Sequence, residues 1–352
     1  MTGRNAGLLA VLAVAALAGG WYFGIGATPA DQTAMAGGQL MFPGLTQQLG
    51  ELAKVEIIHR GKPVAIERRP GGGWGVASMR DYPVQPAKLR GLLTGLTELR
   101  LLEPRTADPA EFARLGVDDP AGASATGDLV RLIDTRGKPI LALIAGHRRV
   151  SGQANAPEEI YVRRPDENQS WLAAGSVQAD GDASQWLDRT IVNIAAARVT
   201  SVAIGDRALV FGRQGGDFVL TQPADHPKLE AYKVEDVARA LESLTFEQVK
   251  PDTDAPGTEA GHAVFATADG LSITVTTLQD GKDGGGKDVW VRFAAAALTA
   301  DAKAEATALT GRLAGWTYQI GAGKEKALVP GMADLKADEV PAKPATADGD
   351  RK

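Results

Sequence analysis

A glycine-rich segment between two predicted strands comes closest to a nucleotide-binding motif. It runs from Gly281 to Asp288 and reads GKDGGGKD, near the phosphate-loop pattern of two spaced glycines, Lys and a hydroxyl residue. Asp288 stands where Ser or Thr should hold magnesium. A β-rich run (Asp288–Phe293) follows where the motif needs a helix whose N-terminus faces the phosphate. The segment is therefore predicted to be the tip of a hairpin.

The histidines and acidic residues form no recognisable metal or acid–base motif. The histidines are His59, His147, His226 and His262, and no two have a close metal-ligand spacing. The acidic pairs are Asp118–Asp119, Glu158–Glu159, Asp180 with Asp182, and Asp252 with Asp254. Adjacent acids on an extended segment point apart, and neither spaced pair begins a complete calcium loop. The common serine-nucleophile signatures are missing. The sequence assigns no catalytic residue, no cofactor-binding residue and no metal ligand, and it implies no cofactor.

Two arginines occupy matching places in the sequence. Tyr161-Val162-Arg163 and Trp290-Val291-Arg292 each form part of a predicted strand. Paired arginines can bind a carboxylate or phosphate. We favour the alternative that each lies over an aromatic ring or pairs with a nearby acid. The tryptophans beyond the N-terminal run are likewise predicted to lie in the core or cover the sheets rather than form a sugar platform; they are Trp74, Trp171, Trp186, Trp290 and Trp316.

The composition indicates a globular protein that does not bind nucleic acid. The chain has 352 residues, of which 44% are hydrophobic and 23% charged, with a net charge of −5. A nucleic-acid-binding protein would present a clustered basic face. Cysteine is absent, which excludes disulfides, thiolate metal sites and a cysteine nucleophile.

The N-terminal region contains a candidate membrane anchor. Residues 6–25 carry no charge, and about 20 helical residues span a hydrocarbon core of about 30 Å. Arg4 precedes the run, and Lys54 is the next basic residue after it. The positive-inside rule then places the N-terminus in the cytoplasm and the bulk of the chain across the membrane. Cleavage of a signal peptide near Ala34-Met35-Ala36 is the alternative.

Two parts of the chain show the same order of β-rich runs. The first begins VEIIHRGKPVAIERRPGGGWGV at Val55, and the second begins VAIGDRALVFGRQGGDFVL at Val202. A helix with an apolar stripe follows each, marked by Leu89, Leu92, Leu93, Leu96 and Leu99, or by Val234, Val237, Leu241 and Leu244. Alternating strands come next. The prediction is an α+β fold of tandem duplicated β-β-α-β-β-β modules with mainly antiparallel sheets, preceded by one transmembrane helix.

The predicted domains follow from this pattern. They are a cytoplasmic stub and transmembrane anchor (1–26), a linker (27–50), a first α+β repeat (51–194), a second α+β repeat (195–335) and a disordered tail (336–352). A short helix around Asp182–Leu187 is expected between the repeats, capped by Asp182 or Ser184.

With this order laid out, the chain resembles the DUF4340 family of bacterial proteins. The resemblance is carried by the anchor, Trp74-Gly75-Val76, Tyr82-Pro83-Val84, Leu115-Gly116-Val117, Tyr161-Val162-Arg163-Arg164-Pro165, Trp186-Leu187-Asp188-Arg189 and Leu241-Glu242-Ser243-Leu244. It implies a single-pass protein of the bacterial inner membrane, with its bulk in the periplasm. It also implies a role beside an ABC transporter of the type linked to gliding motility.

The leading hypothesis is a non-enzymatic accessory or scaffold protein of an ABC-type envelope transport system. Its expected partners are the lipid bilayer, through residues 6–25, and a transporter permease or auxiliary subunit. Two alternatives stay open. One is a periplasmic module that binds a lipid or glycan, and the other is an envelope hydrolase with a dispersed site.

Overall fold

A computed structural model describes residues 38–149, 158–205, 207–279 and 289–337. The predicted anchor (6–25) and the whole glycine-rich segment (281–288), predicted to be a hairpin tip, lie outside the described residues. Within the described ranges, no helix is both long and apolar enough to span a bilayer. The first compact unit ends at Asp188 and the second begins at Arg189.

Unit 1 is built on one antiparallel sheet of ten strands. The strands are β1 (Gln39–Leu40), β2 (Leu52–His59), β3 (Lys62–Arg68), β4 (Trp74–Val76), β5 (Tyr82–Pro83), β6 (Arg100–Pro104), β7 (Asp128–Asp134), β8 (Pro139–Arg149), β9 (Glu159–Arg163) and β10 (Ser170–Ala174). Their order across the sheet is β1-β6-β10-β9-β8-β7-β2-β3-β4-β5. The helices are α1 (Leu45–Gln48), α2 (Pro86–Glu98) and α3 (Phe112–Leu115).

The leucine stripe of α2 packs into the core, as its spacing predicts. Leu89, Leu92 and Leu96 are buried on one face, and Leu99 is buried just beyond the helix. Pro86 occupies the first turn, where its missing N–H leaves no intrahelical bond unmade. The expected short helix near Asp182 is a 3₁₀ turn (Ala183–Trp186), capped by a bond of 2.9 Å from Ser184 N–H to the Asp182 carboxylate.

Part of the predicted linker is folded. Residues 39–51 form β1, α1 and a 3₁₀ turn, although the sequence shows no periodicity there. Met41 and Leu45 are buried, and Met41 N–H donates to the Leu99 carbonyl at 2.8 Å. Strand β1 has two residues, too few to show an alternation of apolar and polar side chains. Its pairing with β6 is therefore visible only in the structure.

Unit 2 has a second antiparallel sheet, of eight strands. Its strands are β12 (Val199–Ile204), β13 (Leu209–Gln214), β14 (Asp217–Gln222), β16 (Gln248–Pro251), β17 (Thr258–Thr267), β18 (Leu271–Gln279), β19 (Val289–Ala297) and β20 (Trp316–Ile320); β11 (Thr190–Val192) pairs separately with β15 (Leu244–Thr245). The order is β14-β13-β12-β17-β18-β19-β20-β16. The helices are α4 (Ala231–Ala238), α5 (Lys303–Leu313), α6 (Ala322–Leu328) and α7 (Met332–Leu335).

Helix α4 is shorter than its apolar stripe predicts. It ends at Ala238, whereas Leu241 lies in a turn and Leu244 in β15. All four predicted stripe residues are nevertheless buried. Burial therefore follows the apolar pattern even where the helix has stopped.

Eight strands follow the same order in the two sheets. The run β6-β10-β9-β8-β7-β2-β3-β4 in unit 1 corresponds to β16-β20-β19-β18-β17-β12-β13-β14 in unit 2. Each unit is larger than the predicted β-β-α-β-β-β pattern. It gains a strand before the helix (β4 or β14), a strand after it (β6 or β16) and a final strand (β10 or β20). These additions are strands of three to six residues, and β6 and β16 pair with strands distant in the sequence.

Two glycines in α2 give a matched test of the packing. A Cβ at Gly95 would lie 2.0 Å from the Ser176 carbonyl oxygen, whereas a Cβ at Gly91 would meet nothing within 4 Å. We expect Gly95→Ala to lower the free energy of unfolding by about 1–3 kcal/mol through overpacking. Gly91→Ala should raise it by up to about 1 kcal/mol, because alanine favours helix. Chemical denaturation followed by fluorescence measures both, and equal effects would contradict the close approach.

Candidate functional site

The outer edge of β14 borders a groove in unit 2. Strand β14 stands at the end of the sheet order, and among the described residues no strand pairs with its outer edge. A groove of about 800 Å³ lies between β14 and the chain that leads into α4. Phe218, Val219 and Leu220 line it from β14, and Leu229 and Tyr232 line it from the other side. An extended chain with apolar side chains fits a groove of this kind.

The groove combines a buried apolar floor with an exposed aromatic rim. Phe218 and Leu220 are buried, and the Phe218 ring stacks on Phe211 with centroids 6.1 Å apart. Tyr232 is 58% exposed, which places a large ring in water at the mouth of the groove. Exposed aromatic residues beside an apolar surface are typical of binding sites.

Strand β4 of unit 1 holds the position in its sheet that β14 holds in unit 2. Arg68 lies over the Trp74 ring at 4.8 Å, and Arg213 lies over the Phe218 ring at 5.6 Å. Each arginine also donates from Nε to a backbone carbonyl of the neighbouring strand, to Leu52 of β2 at 2.7 Å and to Val199 of β12 at 3.0 Å. Trp74 and Phe218 are therefore equivalent, and β4 corresponds to β14.

In unit 1 this edge is covered. Strand β5 pairs with β4, and the carbonyls of Trp74 and Val76 accept from the N–H groups of Val84 and Asp81 at 2.9 and 3.1 Å. Tyr82, in β5, is 2% exposed. No such strand follows β14 in the described part of unit 2. The groove therefore borders the edge of β14 that corresponds to the edge of β4 covered by β5 in unit 1.

Charged groups surround the groove on both sides. Asp217 and Glu235 contribute negative charge, and Lys228 contributes positive charge, with His226 beside it. An extended occupant would therefore meet both basic and acidic groups.

A second cleft, of about 730 Å³, lies in unit 1 beside His59. His59 Nδ1 is 2.7 Å from a carboxylate oxygen of Asp128, and burial raises the pKa of Asp128. Asp180 accepts from Lys88 Nζ at 3.0 Å, and Gly181 packs closely against His59. Sequence reasoning missed this pair, because only the pairing of β2 with β7 sets His59 opposite Asp128. The Asp128 carboxylate bonds to His59 on β2, and the Asp180 carboxylate bonds to Lys88 on α2, so both have partners within the unit.

The paired arginines occupy the same register position in the two sheets. Arg163 lies opposite Ile144, and Arg292 lies opposite Thr276. Arg163 is 6% exposed and lies over Phe112. It donates to the carbonyls of Val117 and Glu167 at 2.9 and 3.0 Å, and burial lowers its pKa.

Arg292 is half-exposed and faces a carboxylate. Its Nε is 3.3 Å from an oxygen of Asp252, which also accepts from Thr317 Oγ1 at 2.6 Å. Both arginines thus have partners within their units. The structural interpretation fits both better than an anion site does.

The remaining sequence candidates are not brought together. Trp186 is fully buried and donates to the Asp180 carbonyl at 2.8 Å, and Trp290 is 5% exposed. His262 lies 3.7 Å from Glu259, and His226 bonds to its neighbouring backbone. Within the described ranges, no three His, Asp or Glu side chains are grouped to hold a metal ion.

The geometry defines a class of protein: an α+β protein with antiparallel sheets in two units and an open sheet edge beside a groove. The model of the family described as "Domain of unknown function (DUF4340)" matches residues 74–261, more than half of the chain. The chain therefore belongs to the DUF4340 family. Neither a curated protein nor a solved structure matches it.

The two arginines make a matched pair of variants. Arg163→Ala leaves several backbone carbonyls near Val117 without a donor, so we expect it to destabilise unit 1 by about 3 kcal/mol. Arg292→Ala removes a half-exposed ion pair and should cost unit 2 less than about 1 kcal/mol. Hydrogen exchange on the amides of β9 and β19 reports each unit separately. A larger cost for Arg292→Ala would refute the structural assignment.

Proposed function

We propose that this protein is a non-enzymatic accessory or scaffold protein that binds an extended segment of a partner along β14. The observation that carries the proposal is the open edge of β14 beside an apolar groove. An unpaired edge presents backbone donors and acceptors to an incoming strand. Backbone bonds supply affinity, and the groove selects side chains.

Strand β5 of unit 1 shows which kind of segment covers the corresponding edge, at β4. Its own chain covers β4 with Tyr82-Pro83, and the tyrosine ring becomes buried. Proline suits an edge strand, because one side of such a strand needs no N–H donor. The partner segment is therefore expected to be short and extended, with a large apolar side chain.

The same comparison supports a tandem duplication of the module. The eight matching strands, the equivalent pairs Arg68–Trp74 and Arg213–Phe218, and the common register of Arg163 and Arg292 all argue for it. Under this proposal, unit 1 covers the edge of β4 with its own strand β5, and in unit 2 a partner segment binds at the corresponding edge of β14.

The proposed location is the bacterial inner membrane, with the bulk of the chain in the periplasm. The uncharged run 6–25 supports a single-pass anchor, and Arg4 supports its orientation. An anchor confines both units near the bilayer, which raises their effective concentration toward a membrane partner. The family resemblance supports an ABC transporter permease or auxiliary subunit as that partner.

A periplasmic glycan-binding module is the second candidate. The cleft beside His59 favours it, because polar groups from Arg60, Asp128 and Asp180 line it. Native mass spectrometry of the protein with short glycans tests this candidate. A His59→Ala variant that binds as well as the original protein would remove its support.

Site-specific crosslinking in bacterial membranes tests the leading proposal. A photoreactive residue replaces Tyr232 at the groove, and in a control it replaces Leu298, which is 68% exposed. We expect the Tyr232 position alone to capture a component of an ABC-type transport system. Adding Val219→Lys, which places a charge in the groove, should reduce capture at least about tenfold, since a buried charge opposes strand addition.

Two outcomes would overturn this proposal. One is capture that contains no transport component. The other is capture from the Tyr232 position that Val219→Lys leaves unchanged.

A further inference from the structure

We propose that the groove of unit 2 receives an extended segment of a partner as an inserted strand, bonded to β14 on one side and to the backbone of Leu229 on the other. The inference rests on the proposed function and adds to it a second row of backbone bonds and the charge of the segment. The occupant is a peptide one strand wide, with a Lys or Arg at the Asp217 end of β14.

In unit 1, the segment beside β4 is bonded on both sides. Val84 N–H donates to the Trp74 carbonyl of β4 at 2.9 Å. On the other side, Val84 forms an antiparallel bridge with Leu187, and Gln85 N–H donates to the Trp186 carbonyl at 2.8 Å. The chain at Val84 therefore lies between two neighbouring chains.

Unit 2 repeats only the second set of these contacts. Leu229 and Lys336 form an antiparallel bridge, and Glu230 N–H donates to the Leu335 carbonyl at 3.0 Å. Glu230 is the N-cap of α4, the same place that the donor of unit 1 has at α2. Leu229 is therefore the counterpart of Val84. Lys336, predicted to begin a disordered tail, is held by this pairing.

The backbone groups of Leu229 point toward the groove. The bonds beside its bridge use Glu230 N–H and the Lys228 carbonyl, so they leave the N–H and C=O of Leu229 on the other side. In unit 1 that side faces β4, and in unit 2 it faces β14 across the groove. Within the described ranges, no bond joins Leu229 N–H to β14.

Strand β14 presents matching groups on the opposite side of the groove. In unit 1, the carbonyls of Trp74 and Val76 point away from β3 and accept from the covering segment. Phe218 corresponds to Trp74, so Leu220, two residues further on, corresponds to Val76. By this equivalence the N–H and C=O of both residues point away from β13. Two rows of backbone groups therefore face each other across the groove.

The size of the groove fits one extended chain. The part of β14 that lines it, Asp217 to Leu220, covers about 13 Å at the rise of a strand. A volume of about 800 Å³ over that length gives a mean cross-section of about 60 Å². One strand needs about 48 Å², from spacings of about 4.8 Å between strands and about 10 Å between sheets. A helix about 10–12 Å wide needs about 80–110 Å². The groove therefore suits a strand rather than a helix.

The carboxylates of the groove determine the charge of the occupant. Asp217 begins β14, and the register of unit 1 sets it opposite Glu230. Glu235 also lines the groove. Lys228 lies two residues before Glu230, so its positive charge stands further along the groove. A Lys or Arg at the Asp217 end of the occupant meets opposite charge there, whereas an acidic residue is repelled.

A short peptide, blocked at both ends, serves as the probe. It copies residues 80–84 and adds a Lys (RDYPVK), which lies beside Asp217 in the register of unit 1. Its Kd is measured on the full chain in detergent, together with those of RDYPVQ and RDYPVE. We expect the Kd to be about threefold higher with Gln and about tenfold higher with Glu. Equal values for the three peptides would overturn the charge assignment.

Two variants of Leu229 test the second row of bonds. Leu229→Pro and Leu229→Ala both remove the leucine side chain, but only the proline removes the N–H. Neither removes the Glu230 and Lys228 groups that bond to the neighbouring segment. We expect the Kd of RDYPVK to be about five- to tenfold higher in Leu229→Pro than in Leu229→Ala. Equal Kd values in the two variants would overturn the inserted strand.

Hydrogen exchange on the unmodified chain gives a second readout, independent of the folding of any variant. With RDYPVK in excess, we expect slower exchange at the Leu229 amide as well as at the Phe218 and Leu220 amides. Slower exchange at Phe218 and Leu220 alone would overturn insertion while supporting addition of a strand to β14. No slowing at any of the three amides would overturn the proposed function together with this inference.

Discussion

Backbone groups at the edge of a sheet must be paired, or they remain open to another strand. Unit 1 covers the edge at β4 with its own chain, through β5 and the bonds from Asp81 and Val84. Unit 2 has eight strands in the same order, and among its described residues no strand pairs with the outer edge of β14. The groove and the exposed Tyr232 ring lie beside this strand, and Lys336 pairs with Leu229, which lines the groove. This edge is therefore the part of the described structure best suited to binding.

Arginines at corresponding positions of the two sheets stabilise each unit, but their surroundings differ. Arg68 and Arg213 occupy the same position in the two sheets, and each donates to a carbonyl of the neighbouring strand and lies over an aromatic ring. Arg163 and Arg292 also share a register, yet one is buried among carbonyls and the other is half-exposed beside Asp252. Such contacts stabilise each unit from within.

Much of the fold could be predicted, because local patterns dominate it. Alternating runs marked the long strands of both units, and the leucine spacing marked α2. The missed strands β1, β4, β6 and β10 are five residues or fewer, and β1 and β6 pair only with segments distant in the sequence. A strand of that length carries no period of its own. The groove was missed for the same reason, since the sequence cannot show that a strand lacks a neighbour.

The sequence alone determined the α+β class, the antiparallel pairing and the apolar core, because periodicity and turn chemistry act over a few residues. It also determined the family, through the order of its short motifs, and it sets residues 6–25 apart as an uncharged run. The tertiary structure decided which residues meet: His59 with Asp128, Arg163 with the Val117 carbonyl, and Lys336 with Leu229. It alone decided which sheet edge stays open, since that depends on where every other segment of the unit has gone.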